Sequence, residues 1–132
     1  MSKYDFVYIL KDTEKNEELK YSLRSIEANV SDLINKIVFV GGKPKGFTGY
    51  LHVNNPQIFN TKHKNAIMGI YAACKTKDIT DNFVLMNDDF YIMQPIEDIT
   101  KYYDGSMKAR IDALPDGRYK DQMKSYYDIL VK

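Results

Sequence analysis

Three short runs of apolar residues alternate along the chain with longer segments of helical period. The runs fall within Asp5–Leu10, Lys36–Val40 and Phe83–Met86, and they are rich in β-branched and aromatic residues. Strands that are buried on both faces have this unbroken apolar composition, which is typical of parallel sheets. We therefore predict three neighbouring parallel strands. A shorter segment, Tyr50–Asn54, is a candidate for one more strand.

Apolar residues at helical spacing occupy the segments between these runs. The first helix follows the potential N-cap Asn16, and its apolar positions are Leu19, Leu23, Ile26 and Val30. The second begins near Asn60 or Thr61, and its apolar stripe is Ile67, Ile70, Tyr71 and Cys74, which makes Cys74 a small core residue by prediction. Strands joined by such helices predict an α/β fold: three Rossmann-like layers, with helices on both faces of a mostly parallel sheet.

The periodicity weakens after residue 98, although residues 119–131 again have the spacing of a helix. With 132 residues, of which 44% are hydrophobic, the chain is long enough for one core and too short for two full domains. We predict a single domain over residues 1–132, with a core of residues 1–98 and a C-terminal extension of residues 99–132.

Composition and charge exclude several classes of protein. The 19 basic and 18 acidic residues give a formal net charge of +1, so overall charge does not drive nucleic-acid binding. No apolar run approaches the roughly 20 residues that span a bilayer. The single cysteine excludes an internal disulfide and a cysteine-based zinc site. The expectation is a soluble, cytoplasmic protein without a membrane span.

The sharpest chemical feature is the sequence Asn87-Asp88-Asp89, which lies between two apolar runs. Ligands of open α/β sheets gather at the carboxyl ends of strands, where this segment falls. Adjacent carboxylates repel unless a cation or donors compensate, and their hard oxygens suit Mg²⁺ or Mn²⁺. If the strand continued, Asp89 and Asn87 would share a side and Asp89 would be the more direct ligand. The alternative is an ordinary strand-to-turn junction.

A glycine-rich loop is a second candidate site. Gly41–Gly46 includes Lys43 and Lys45 and could cradle a phosphate with backbone N–H groups, but it lacks the P-loop pattern, and a surface turn is the alternative. The two histidines, His52 and His63, are not paired with a nucleophile by spacing.

Several segments together resemble the Stealth family, the hexose-1-phosphate transferases of bacterial capsule synthesis and their animal relatives. The stretch Glu18–Glu27 reads ELKYSLRSIE, close to that family's ELRYSLRSIE motif, and Asn87–Phe90 reads NDDF, which matches its NDD motif. Weaker matches lie at Asp5–Tyr8 followed by Asp12, at Lys36–Val40 and at Phe59–Thr61. The order and rough spacing agree over about residues 5–93.

The resemblance implies a nucleotide-sugar-binding core like that of the GT-A glycosyltransferases, in which an acidic motif holds Mg²⁺ or Mn²⁺ on the donor diphosphate. On this basis, Asp89 and Asp88 are the predicted metal ligands. Asn87, Tyr8 and Asn60 are predicted to bind the nucleotide-sugar donor.

The resemblance also implies a catalytic set of Asp12, Arg24 and Asp88. Asp12 would face the nucleotide from the end of the first strand, and Arg24 would contact phosphate or brace a carboxylate. The leading hypothesis is therefore a small metal-dependent nucleotide-sugar transferase that moves a sugar or sugar-1-phosphate to an unknown acceptor.

Two alternatives stay open. The family's later segments have no counterpart after Met93, which favours a non-catalytic nucleotide-sugar-binding module, or a fragment that completes its site with a partner chain. A weaker alternative is an enzyme that glycosylates nucleic acid and holds its backbone with lysines, namely Lys62, Lys64, Lys75 and Lys77. The acceptor, a glycan or a nucleic acid, and the oligomeric state are not defined by these patterns.

Overall fold

The computed structural model describes residues 3–11, 17–55, 62–102 and 105–130, and it contains a four-stranded parallel sheet. The strands are β1 (Tyr4–Leu10), β2 (Ile34–Gly41), β3 (Tyr50–Val53) and β4 (Phe83–Met86). Their order is β3-β2-β1-β4, and every pairing is parallel. The predicted parallel neighbours are confirmed, with β1 between β2 and β4.

Two helices of similar length connect the strands. Helix α1 (Glu17–Val30) joins β1 to β2 through a 3₁₀ turn at Ser31–Leu33, and α2 (Lys62–Lys75) precedes β4. The first turn of α1 contains two glutamates, whose charge is favourable at a helix N-terminus. The buried residues of α1 are Leu19, Ser22, Ile26 and Val30, so a serine occupies the middle of the predicted apolar stripe.

Alternate residues of β1 pack against different helices. Val7 belongs to a buried cluster with Val38, Val40 and Ala73 of α2. The next residue, Tyr8, points to the opposite face, as strand alternation requires, and its hydroxyl bonds to Ser22 of α1. Helices therefore cover both faces of the sheet, and the predicted α/β class with a layered architecture is confirmed.

The buried stripe of α2 differs from the prediction. Cys74 is exposed, whereas Ile67, Gly69 and Ala73 are buried. A Cβ added at Gly69 would lie only 2.8 Å from Cγ2 of Ile9, so the absence of a side chain lets the helix approach β1 closely at this point. The contact therefore runs along the small residues of α2, and the prediction of Cys74 as a core residue is wrong.

The chain divides into two compact units, Met1–Glu97 and Asp98–Lys132. The second unit contains a 3₁₀ turn at Ile99–Tyr102 and the helices α3 (Met107–Asp112) and α4 (Arg118–Leu130). Helix α3 is capped by Ser106, whose hydroxyl oxygen accepts a hydrogen bond from the Ala109 N–H at 3.2 Å. The single domain over residues 1–132, with a core of residues 1–98 and a C-terminal extension, stays a prediction. The second unit is compatible both with an extension of that domain and with a separate domain.

A buried carboxylate fastens the amino end of the sheet. Asp5, at the start of β1, is 0% exposed. It accepts hydrogen bonds from Asn35 Nδ2 at 2.7 Å, Lys36 Nζ at 2.8 Å and the Thr80 N–H at 2.9 Å. Burial acts to raise the pKa of Asp5, but the bonds from Lys36, Thr80 and Asn35 outweigh it and lower that pKa. Asp5 thus joins β1 to β2 and to the loop before β4.

Asp5→Asn should destabilise the fold by about 2–4 kcal/mol at neutral pH, because it removes one partner of a buried ion pair. The folded-state pKa of Asp5 lies below the unfolded value of about 3.9. Its stabilising contribution is therefore complete above that value and is lost as the pH falls through the folded pKa. Urea unfolding over a pH series should show that the difference in the free energy of unfolding between wild type and Asp5→Asn becomes smaller in acid. An equal difference at every pH would contradict this role, and the exposed Asp81→Asn is the control.

Candidate functional site

The strand order defines where a ligand site is expected. The chain runs from β1 outward through β2 to β3, and then returns to place β4 on the other side of β1. In open α/β sheets, ligands bind at the carboxyl ends of the strands on either side of such a reversal. Met86, the last residue of β4, pairs with Tyr8 of β1, so the segment Asn87–Asp89 begins level with the end of β1.

The segment Asn87–Phe90 is a turn. The Phe90 N–H donates to the Asn87 carbonyl at 3.1 Å, while Asn87 and Asp89 are exposed and Asp88 is half-buried. The condition under which Asp89 would be the more direct ligand, continued strand geometry, is therefore not met, because asparagine and aspartate favour turns and two adjacent carboxylates are best separated in solvent. Strand alternation gives no reason to rank Asp89 above Asp88 as a ligand. The strand-to-turn junction describes the local geometry.

A serine hydroxyl fixes the far end of this turn. Ser22 Oγ donates to the Phe90 carbonyl at 2.5 Å and lies 2.8 Å from the Tyr8 hydroxyl. A serine has one hydroxyl proton, so Tyr8 must be the donor in the second bond. This Ser22 bridge joins the central strand β1, helix α1 and the residue that follows the acidic pair.

The residues after the turn follow α1 without forming a strand. The Ile92 N–H donates to Ser25 Oγ at 3.1 Å, and Asn29 Nδ2 donates to the Ile92 carbonyl at 2.5 Å. The Ile96 N–H reaches the Asn29 carbonyl at 3.4 Å. Polar side chains of one helix thus hold residues 90–96. This arrangement leaves the large side chains of Phe90, Tyr91 and Met93 exposed.

Tyr8, a predicted donor-binding residue, is enclosed in the protein. It is 0% exposed, and its ring makes an edge contact with Phe39, with the centroids 6.1 Å apart. Burial raises the pKa of Tyr8 to about 12, although the bond with Ser22 opposes this effect. The hydroxyl is engaged with Ser22, so the structure supports a role for Tyr8 in holding α1 rather than in contacting a donor.

Arg24 lies on the exposed side of α1. Its Cζ atom is 5.9 Å from the centroid of the Tyr21 ring, a cation–π distance, rather than in an ion pair with Glu27. The pKa of Tyr91 is raised, first by desolvation and then by the negative charges of Glu18, Asp89 and Asp88. Tyr21 makes the smallest contribution to this shift. Arg24 therefore lies beside the exposed ring of Tyr21.

Two predicted site residues, Asp12 and Asn60, lie outside the described residues, as do the side chains of Lys62 and His63. The structure brings Asn87, Asp88 and Asp89 together in the turn. Within the described ranges, no group of three His, Cys, Asp or Glu side chains is arranged to hold a metal ion.

The glycine loop after β2 packs against the end of β1. The Gly42 N–H donates to the Leu10 carbonyl at 3.2 Å, and an added Cβ would meet the Lys11 carbonyl oxygen at 2.1 Å. Its amide is therefore used internally, while Lys43 and Lys45 are exposed. The loop needs a glycine for close approach to β1, which favours the structural alternative over a phosphate cradle.

Sequence reasoning missed Ser22 and Asp5 as organising residues. Both are polar and fully buried, and the only signal was their position within otherwise apolar periodic segments. Comparisons with protein-family models, curated proteins and solved structures give no match to this chain. Among the helices of the described ranges, none is long and apolar enough to cross a membrane.

Ser22→Ala should destabilise the protein by about 1–3 kcal/mol, because it leaves the buried Tyr8 hydroxyl and the Phe90 carbonyl without their partner. Urea unfolding at neutral pH measures this change. The control is Ser125→Ala, which removes an exposed hydroxyl bonded to the Asp121 carbonyl at 3.2 Å and should cost less than about 0.5 kcal/mol. Equal costs for the two variants would show that the Ser22 bridge is energetically unimportant.

Proposed function

We propose that this chain binds a nucleotide-sugar donor together with Mg²⁺ or Mn²⁺ at the carboxyl ends of β1 and β4, as a small metal-dependent nucleotide-sugar transferase. The observation that carries the proposal is the position of Asp88 and Asp89. They stand side by side in a turn at the point where the strand order reverses, which is the ligand position of open α/β sheets.

The residues of the turn fit a divalent ion only as part of an open shell. Asp88 and Asp89 offer carboxylate oxygens, and Asn87 offers an amide oxygen, which together are too few to enclose Mg²⁺ or Mn²⁺. Such ions keep water ligands and accept substrate phosphate oxygens to complete the shell. A bound metal would act as a Lewis acid on the leaving diphosphate. Asp12, which the resemblance to the Stealth family implies as a catalytic residue, follows β1 by two residues in sequence and is the further carboxylate of the proposed function.

Two further observations support a GT-A-like donor site. The order β3-β2-β1-β4 is that of the first four strands of a doubly wound dinucleotide-binding sheet. The Ser22 bridge also brings together three of the five segments that carry the resemblance to the Stealth family, since Tyr8, Ser22 and Phe90 each belong to one of them. Motifs that meet at one point of the fold support a shared site.

The alternative function is a donor-binding module without transferase activity. The absence of a three-ligand metal group from the described residues favours it, because a complete transferase site needs more groups than this turn supplies. Turnover separates the two functions: with saturating Mn²⁺ and nucleotide-sugar, sugar transfer releases nucleoside diphosphate over time and sugar-1-phosphate transfer releases nucleoside monophosphate. Binding without turnover would assign the module.

The lysines give little support to a nucleic-acid acceptor. Lys64 and Lys75 are both exposed on α2, but their separation in sequence corresponds to about 16 Å along a helix axis. They stand near opposite ends of α2 and do not form one dense basic patch. A glycan or another small acceptor is therefore the better proposal.

Neutralising the acidic pair should abolish metal-dependent donor binding. Titration calorimetry with UDP-, GDP- and CDP-sugars should give an affinity that rises with Mn²⁺, because metal and diphosphate share one coordination shell and their bindings are reciprocal. Asp89→Asn and Asp88→Asn should each lower the Mn²⁺-dependent affinity by about tenfold or more, while stability changes by less than about 0.5 kcal/mol.

Asp81→Asn is the matched control, since Asp81 is an exposed aspartate at the opposite end of β4. It should leave the affinity unchanged. Donor affinity that is the same in EDTA and Mn²⁺ would contradict the metal site, and the absence of binding to any of these nucleotide-sugars would contradict the donor site.

Arg24→Lys tests the predicted contact with phosphate. A guanidinium can bind phosphate through two parallel hydrogen bonds, which a lysine cannot reproduce. We expect donor affinity to fall by about tenfold while unfolding in urea is nearly unchanged, because Arg24 is exposed. The exposed Arg118→Lys in α4 serves as the control. Unchanged donor affinity in Arg24→Lys would reduce Arg24 to a surface partner of Tyr21.

A further inference from the structure

Strand β4 is an edge strand with the composition of a central one. Among the described residues it pairs with β1 on one side only, and its four residues read FVLM. Natural edge strands are usually protected by short length, charges, prolines or bulges; β4 is short, with four residues, but it has no charged residue or proline. Leu85 is 40% exposed, so an apolar side chain remains in solvent beside unpaired backbone groups.

The two ends of β4 differ in charge and shape. Its amino end borders a depression of about 390 Å³, whose lining includes Phe83, Asp81 and Lys77. Its carboxyl end leads into the turn that contains Asp88 and Asp89. Within the described ranges, neither of these carboxylates has an ion-pair partner. A strand added along β4 would therefore have a recessed surface with both acidic and basic residues at one end and an acidic surface at the other.

A second copy of this chain is a poor occupant of the edge. Antiparallel pairing of two β4 strands would place Asp81 of one copy near the acidic turn of the other, at both ends of the pair. Like charges directly opposite each other in a sheet are destabilising. A strand with basic residues at the end that meets Asp88 and Asp89 is complementary instead.

We propose that the edge of β4 that is unpaired among the described residues binds an extended peptide segment of a partner protein, which adds to the sheet as a fifth strand. Backbone hydrogen bonds to β4 would provide affinity, and alternate apolar side chains of the segment would cover Leu85. Lysine or arginine at one end of the segment would pair with Asp88 and Asp89. Strand addition needs neither the proposed metal nor the donor, but the basic end of the segment uses the same two carboxylates and therefore competes with a bound metal ion.

Fluorescence anisotropy with defined peptides tests the proposal in EDTA and without nucleotide-sugar. The probes are labelled peptides of alternating valine and threonine, with two lysines at the amino end, two lysines at the carboxyl end, or two glutamates in either position. We expect one lysine peptide to bind at least about tenfold more tightly than its glutamate counterpart, because only lysine complements the acidic turn. Amide hydrogen exchange of Val84–Met86 should slow when this peptide binds.

Leu85→Lys should weaken the binding of the lysine peptide by at least about tenfold, because a charge on an edge strand opposes strand addition. Met93→Lys is the control: Met93 is 80% exposed but lies outside the sheet, so its replacement should have no effect. Equal binding to Leu85→Lys, or no binding of either lysine peptide at about 1 mM, would overturn the proposal. So would a dimer in sedimentation that Leu85→Lys dissociates, since a second copy would then occupy the edge.

Discussion

One serine hydroxyl determines how the sheet, the first helix and the acidic turn fit together. Ser22 accepts a bond from Tyr8 and donates one to the Phe90 carbonyl, so a single buried group satisfies two others. An apolar residue at this position would remove both bonds and leave the buried Tyr8 hydroxyl unpaired, and an unpaired buried polar group costs about 1–3 kcal/mol. The path of the chain after β4 depends on this bond, and Ser25 and Asn29 extend it along the same helix.

Hydrophobic periodicity was sufficient to predict the strands and the helices α1 and α2, because burial of apolar residues determines which side of each element faces the core. Beyond residue 98 it predicted a helix only over residues 119–131 and missed α3. It could not predict the bridging role of Ser22, since a serine within an apolar stripe only interrupts the pattern. That role depends on the positions of Tyr8 and Phe90 in the folded protein. The prediction that Cys74 is a core residue was wrong because it also depended on a contact that the pattern does not show. Gly69 allows α2 to approach Ile9 so closely that the contact shifts to smaller side chains. The acidic pair was predicted at the correct edge, but the geometry of its turn depends on the bond to Ser22.

The two ends of the sheet use carboxylates in opposite ways. At the amino end, Asp5 is surrounded by the amide of Asn35, the ammonium of Lys36 and the Thr80 N–H, so its charge is compensated within the fold. At the carboxyl end, Asp88 and Asp89 have no such ion pair among the described residues. A charge compensated internally contributes to stability, whereas an uncompensated pair raises the local negative potential and attracts cations from solution. The resemblance to nucleotide-sugar transferases predicts a metal site at Asp88 and Asp89, at the carboxyl end, and the charge distribution supports the same proposal.

The anchoring of the turn bears on how tightly a weak cation site can bind. Adjacent carboxylates repel each other, and a free loop would separate them and would have to be ordered again when a cation arrives. Here Met86 is paired with Tyr8 on one side of the turn, and the Phe90 carbonyl is held by Ser22 on the other. The backbone that carries Asp88 and Asp89 is therefore fixed before any ligand binds, which reduces the entropy lost on binding. Tyr8 contributes to both anchors, through the backbone pairing of its strand with Met86 and through its hydroxyl on Ser22, so the buried tyrosine supports the proposed site without touching its ligand.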